Sequence, residues 1–128
     1  MNETTDSTTT RIAVPSDAPG GLGAQRSGHF GRCAAFTLVD LVDGRVTAVA
    51  VLENPPHTQG GCLAPVARLA EHKVDAIVVD GIGGRPLLGF HQVGIAVHAG
   101  TGETVSDTVL AYATGRLPAF AFESACKH

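Results

Sequence analysis

Two short stretches of the chain each pair an imidazole with a thiol: His29 with Cys33, and His57 with Cys62. Imidazole is a borderline ligand and thiolate a soft one. Together they suit iron, copper or zinc, and thiolates suit iron–sulfur clusters. Cationic and glycine-rich neighbours accompany them. Arg26 and Arg32 lie beside the first pair, and Gly81-Ile82-Gly83-Gly84 runs into Arg85 further on. A glycine turn that opens a helix offers backbone N–H groups to an anion. The chemistry these residues share is the holding of a soft-metal species that carries negative charge.

Each signal has a plain structural alternative. Cys33 reads equally well as a small buried hydrophobe, and the glycine turn as a device for tight strand–helix packing. His72 and His91 fall near the ends of helical stretches and read as surface residues. His98, at the end of a strand, admits either reading. Cys126 and His128 belong to a terminal tail. Three carboxylates, Asp17, Glu53 and Asp80, complete the inventory of reactive groups near these loops.

The elements that must position these residues follow from periodicity. Residues 11–15 (RIAVP) form a short strand, and residues 16–32 a glycine-rich loop. Five glycines make that loop costly to fix, which predicts mobility until a ligand orders it. Residues 35–41 and 45–52 are strands joined by the hairpin signal Asp43-Gly44. Leu63, Val66, Ala67, Leu69 and Ala70 recur at helical spacing. Residues 74–79 (VDAIVV) make a continuous apolar strand, as expected when both faces are buried. A short helix over 85–91, a strand over 93–97 and a last helix over 104–113 follow, with Gly115 as its stop.

The order β-β-β-α-β-α-β-α predicts an α/β fold with a mixed five-stranded sheet. The hairpin comes first and parallel crossovers follow, with helices on the faces. If the first strand pairs antiparallel with the second, strands one, three, four and five all finish at one edge. The loops 16–33, 53–62, 80–85 and 98–101 then converge there. Ligands of open α/β sheets bind at such an edge. Cys62 would sit where a helix begins, and the helix dipole there favours its thiolate.

Composition narrows the function classes. The 128 residues amount to one domain; 44% are apolar and 16% charged, enough for a core and too little charge for a disordered chain. Net charge is −3 with no basic run, so no nucleic-acid footprint is visible. Residues 1–10 lack the apolar stretch of a secretion signal. No segment approaches the roughly 20 apolar residues of a membrane span. The expectation is a cytoplasmic protein with no membrane partner. Its three cysteines are read as thiols or metal ligands rather than a disulfide framework.

The stretch Ser27-Gly28-His29-Phe30-Gly31-Arg32-Cys33, followed by Phe36-Thr37-Leu38-Val39-Asp40, resembles a motif and strand of the dinitrogenase iron–molybdenum cofactor family. That family includes NifX and the C-terminal domain of NifB. Residues 12–17 resemble its opening strand. Glu53-Asn54-Pro55 with Gly60-Gly61-Cys62 resembles its second loop, and residues 75–84 (DAIVVDGIGG) its glycine turn. The resemblance covers residues 11–117, leaving 1–10 and 118–128 as tails. It implies a three-layer α/β/α, ribonuclease H-like fold and a non-enzymatic carrier. The implied cargo is an iron–sulfur or molybdenum–iron–sulfur (thiometallate) cofactor or precursor.

On that reading His29, Cys33, His57 and Cys62 are the metal-ligand candidates. His29, Arg32, Cys33, Gly81, Gly83, Gly84 and Arg85 contact the cofactor. The partners are metallocluster donor and acceptor proteins, and the chain is a monomer or weak homodimer. Two rivals stand beside it. One is a regulatory module that binds a small anion or a partner without metal. The other is a metal-dependent nuclease built on Asp17, Glu53 and Asp80, which would need a tight carboxylate cluster.

Overall fold

The computed structural model describes residues 9–27, 33–53, 63–80, 82, 84–100 and 102–117, with the side chains of 63–65 and 85 left aside. Among the described residues, five strands and three helices follow in the expected order: β1 (Thr9–Ser16), β2 (Ala35–Val42), β3 (Arg45–Glu53), α1 (Leu63–Glu71), β4 (Ala76–Val79), α2 (Gly84–Gln92), β5 (Ala96–Ala99) and α3 (Val105–Ala113). The sheet order is β3-β2-β1-β4-β5. Strands β1, β2 and β3 pair antiparallel, while β1–β4 and β4–β5 pair parallel. The mixed sheet is therefore a hairpin-led half joined to a crossover half along β1. Strand β1 starts at Thr9, two residues earlier than its apolar run suggests, because Thr9 and Thr10 pair with Val42 and Leu41.

The β2–β3 hairpin turns on Asp43 and Gly44, both at positive φ (54° and 78°). Two such residues make the tight turn whose twist matches the strands it joins. Side-chain alternation then sorts the core onto two faces. Ala13, Phe36, Leu38, Ile77, Val79 and Val97 pack with Val66 and Leu69 of α1 and Leu87 and Phe90 of α2. Ile12, Val14, Val39, Leu41 and Ala76 pack with Val105 and Val109 of α3 on the other side. That is a three-layer α/β/α arrangement, with each helix laying one apolar stripe on the sheet.

All three helices end in the same way. The N–H two residues past each C-terminal cap returns to a carbonyl five residues back: Val74 to Leu69, Ile95 to Phe90, and Arg116 to Ala111. The residue before it donates to the carbonyl three back and sits in the left-handed region: Lys73, Gly94 and Gly115 respectively. These are Schellman closures. Gly115 was legible as a stop. Gly94 corrects the last strand, which runs 96–99 rather than 93–97. The valine at 93 belongs to the helix cap, its N–H bonded to Gly89 and Phe90.

Candidate functional site at the strand ends

Register brings the loop-bearing ends together. Ser16, the last residue of β1, lies opposite Ala35, the first of β2, and Ala35 lies opposite Glu53, the last of β3. Val79 and Ala99 end β4 and β5 side by side. Every strand thus meets this one edge of the sheet, where the carboxyl ends of β1, β3, β4 and β5 point. Residues 28–32, with His29 and Arg32, run between Ser27 and Cys33. Residues 54–62, with His57 and Cys62, run between Glu53 and the start of α1.

Arg26 is the centre of the described part of this edge. Its side chain is only 9% exposed. Nη1 donates to Asp80 Oδ1 at 2.7 Å and Nε to the Gly102 carbonyl at 3.1 Å. Its backbone N–H donates to Glu103 O, and the residue bridges to Ser16. One guanidinium therefore ties the loops after β1, β4 and β5. Gly100 makes room for it: a Cβ there would stand 2.6 Å from Nη1. Composition marked Arg26 only as one cation among three. Its partner Asp80 is 54 residues away, so no local signal could show the clasp.

Residues 16–27 of the loop entering this edge make many hydrogen bonds. Asp17 N–H donates to Gln25 O, Ser27 N–H to Pro15 O, and Gly21 N–H to Thr37 Oγ1 at 3.0 Å. Thr37 Oγ1 lies 2.8 Å from Ser16 Oγ, which donates to Ala35 O at 3.3 Å. Thr37 then donates to Ser16, so one chain of bonds satisfies both buried hydroxyls. The loop also caps α3. Val105 N–H donates to Ala24 O and Ser106 N–H to Leu22 O, while Asp107 N–H donates to the Thr104 hydroxyl oxygen in a capping box. The open donors of α3 are thereby consumed within the fold.

Cys33 is 4% exposed and packs in the cluster of Phe36, Leu38 and Leu52 at the top of β2. Gly84 opens α2, Arg85 follows in its first turn, and Ile82 packs against the core. His29, Arg32, His57, Cys62, Gly81 and Gly83 lie outside the described residues. His98 is drawn into the fold on the α3 face. Its Nδ1–H donates to Leu117 O at 3.0 Å, and its ring meets Tyr112 edge-on at 5.2 Å. Burial first, and Asp75 second, push the Tyr112 hydroxyl above its usual pKa. Asp17, Glu53 and Asp80 are all described, and among the described residues no three His, Cys, Asp or Glu form a group able to hold a metal ion. That leaves the nuclease alternative without its cluster.

Residues 10–115 match the model of the dinitrogenase iron-molybdenum cofactor family. The chain belongs to that family. The orange protein of Desulfovibrio gigas, in its apo form, superimposes with a TM-score of 0.76 at 25% identity, over 90% of this chain and 96% of that one. PH0822 is similar at 29% identity and a TM-score of 0.73, over 87% of this chain and 96% of its own. The Methanocaldococcus jannaschii protein MJ0580 is 28% identical over 112 residues, 86% of this chain and 91% of that protein. Membership associates the chain with iron–molybdenum cofactor binding and biosynthesis. Among the described residues, no helix is long and apolar enough to cross a membrane.

Proposed function

We propose that this edge takes up an iron–sulfur or molybdenum–iron–sulfur (thiometallate) species as cargo and passes it to an acceptor protein, without catalysing a reaction. The observation that supports this most is the register of the strand ends. Residues 28–33, with His29 and Cys33, and 54–62, with His57 and Cys62, follow in sequence from strands that end at this edge, as does the β4–α2 turn. His29, Cys33, His57 and Cys62 are the ligand candidates. Arg32, Arg85, Gly81, Gly83 and Gly84 are the candidates to meet the anionic charge such a species carries. Cys62 precedes α1 directly in sequence, and a helix N-terminus favours a thiolate. A donor protein supplies the species and an acceptor removes it, in keeping with a family defined by cofactor assembly.

The test is metal per chain after anaerobic reconstitution with iron and sulfide, and separately with tetrathiomolybdate. Sulfide-to-metal charge transfer should add absorption between roughly 300 and 450 nm. Cys62→Ser is expected to lose most of the loading with its circular dichroism intact, His29→Ala to lose less, and Cys126→Ser to load like the parent. Parent protein that binds no stoichiometric metal under either regime sinks the carrier reading in favour of a metal-free anion or partner module. Loading that depends on Cys126 and not Cys62 moves the site into the tail.

A further inference from the structure

The edge assigned above to an anionic cargo carries an exposed carboxylate. Asp80 follows β4 directly and precedes Gly81, the first residue of the glycine turn. Its side chain is 56% exposed. By charge alone it repels a thiometallate, and substituting it should tighten binding. Its geometry points the other way. Asp80 Oδ1 accepts from Arg26 Nη1 at 2.7 Å, on a side chain that is itself 9% exposed.

That hydrogen bond joins two stretches of chain from different halves of the sheet. Arg26 stands three residues before His29, on the loop that follows β1, and Asp80 one residue before Gly81, on the loop that follows β4. The parallel ladder between those strands is short, pairing Ile12 with Ala76 and Ala13 with Ile77. Beyond it the two chains leave toward the edge, and Arg26 and Asp80 link them again. Arg26 is also held from its own side: its N–H donates to Glu103 O, and the next N–H, of Ser27, donates to Pro15 O. Its Nε donates to Gly102 O at 3.1 Å. The guanidinium's seat is shaped as well as bonded, because a Cβ at Gly100 would stand 2.6 Å from Nη1 and 3.0 Å from Val78 Cγ1.

We propose that Asp80 is a positioning residue of the thiometallate site, acting through Arg26 to fix the start of the His29 segment relative to the start of the glycine turn. The role rests on the carrier reading. Two contributions of one carboxylate then oppose each other. Its charge weakens the binding of an anion, and its hydrogen-bonded oxygen strengthens that binding by holding two segments in one arrangement. A site whose groups are already placed loses less freedom when its ligand arrives. Arg26 suits the other half of the link because Nε and Nη1 form a fork that reaches Gly102 and Asp80 at once. A lysine ammonium on its flexible stem has no such fork.

Anaerobic titration of the full chain with tetrathiomolybdate separates the two contributions. Asp80→Asn removes the charge and keeps an oxygen that accepts from Nη1, so it should bind at least as tightly as the parent. Asp80→Ala removes both and should bind about ten-fold more weakly, the scale of one charge-assisted hydrogen bond. Gly100→Ala, which displaces the guanidinium, and Arg26→Lys, which keeps its charge without the fork, should weaken binding in the same way. Amide hydrogen exchange without cargo reads the positioning by itself: Asp80→Ala should speed exchange at Arg26 and Ser27 by about five-fold, and Asp80→Asn should not. Arg11→Ala, at the other end of the sheet, should change neither reading. The proposal is overturned by Asp80→Ala binding as tightly as Asp80→Asn, by full binding in Arg26→Lys, or by exchange at Arg26 and Ser27 indifferent to Asp80→Ala. Parent protein that loads iron and sulfide but binds no tetrathiomolybdate overturns it too and spares the carrier reading; parent protein that loads neither ends both.

Discussion

Each end of the sheet carries an arginine–aspartate pair, and the two pairs are built in opposite senses. At the loop-bearing edge the cation is the buried member: Arg26 is 9% exposed and Asp80 56%. Toward the other end the anion is the more buried one: Asp40 is 17% exposed and Arg11 37%. Arg11 grips Asp40 with two parallel N–H bonds, at 2.8 and 3.1 Å, and spends a third on His72 O. Its backbone N–H also donates to Asp75 Oδ2 at 2.8 Å. Both Arg11 and Asp40 sit on paired strands, opposite one another in register. That pair locks two elements already held by a ladder. Arg26, by contrast, joins three loops that share no ladder. The first arrangement secures paired strands; the second fixes the loops at the strand ends.

The comparison breaks most visibly at Arg26. Arg26→Ala leaves Asp80 and the Gly102 carbonyl without their donor and opens space beneath Gly100. We expect a loss of about 2 kcal/mol in denaturant unfolding, the scale of a buried charge-assisted bond with its packing. Cargo loading should fall with it. Arg11→Ala should cost about 1 kcal/mol, because a partly exposed pair on paired strands has less to lose, and it should leave loading unchanged. Equal effects of the two substitutions on loading would remove the distinction drawn between the two ends.

A smaller effect sharpens the other half of the comparison. The hydrogen bond from Arg11, ahead of its charge, holds the Asp40 carboxyl below its ordinary pKa, and desolvation opposes this. A carboxylate depressed in the folded state adds stability that is present above its unfolded pKa, near 3.9, and is lost as pH falls through the folded value. Parent protein should therefore lose an acid-sensitive increment below about pH 4. Asp40→Asn should lack that increment and be weaker by under about 1 kcal/mol at neutral pH. Unfolding curves from pH 7 to pH 3 read both. A variant whose pH profile matches the parent's would show that the pair contributes nothing to stability.

Much of this organisation was legible in residue order. The β2–β3 hairpin announced itself through Asp43-Gly44, because few residues other than these accept two positive φ angles in succession. The convergence of loops followed from element order alone, since an antiparallel start and two crossovers admit few arrangements. What escaped was set by contacts distant in sequence. The apolar Val93 reads as strand until Gly94 is seen to close α2. Nor does local sequence show that carbonyls of residues 17–27 cap a helix some 80 residues later, from Leu22 and Ala24 to the start of α3. Cys33 admitted two readings from sequence, and its buried place beside Phe36 and Leu52 leaves it both a core residue and a neighbour of the loop that carries His29.

The central claim is that cargo binds where the strands end, and amide shifts test it most directly. A ¹⁵N-labelled sample would be titrated anaerobically with tetrathiomolybdate. The account predicts that Ser16, Arg26, Ser27, Cys33, Asp80 and Gly84 move with added thiometallate, while Arg11, Asp40, Ala48 and His72 stay in place. Shifts gathered at Arg11, Asp40 and His72, with the Arg26 edge unmoved, would contradict it.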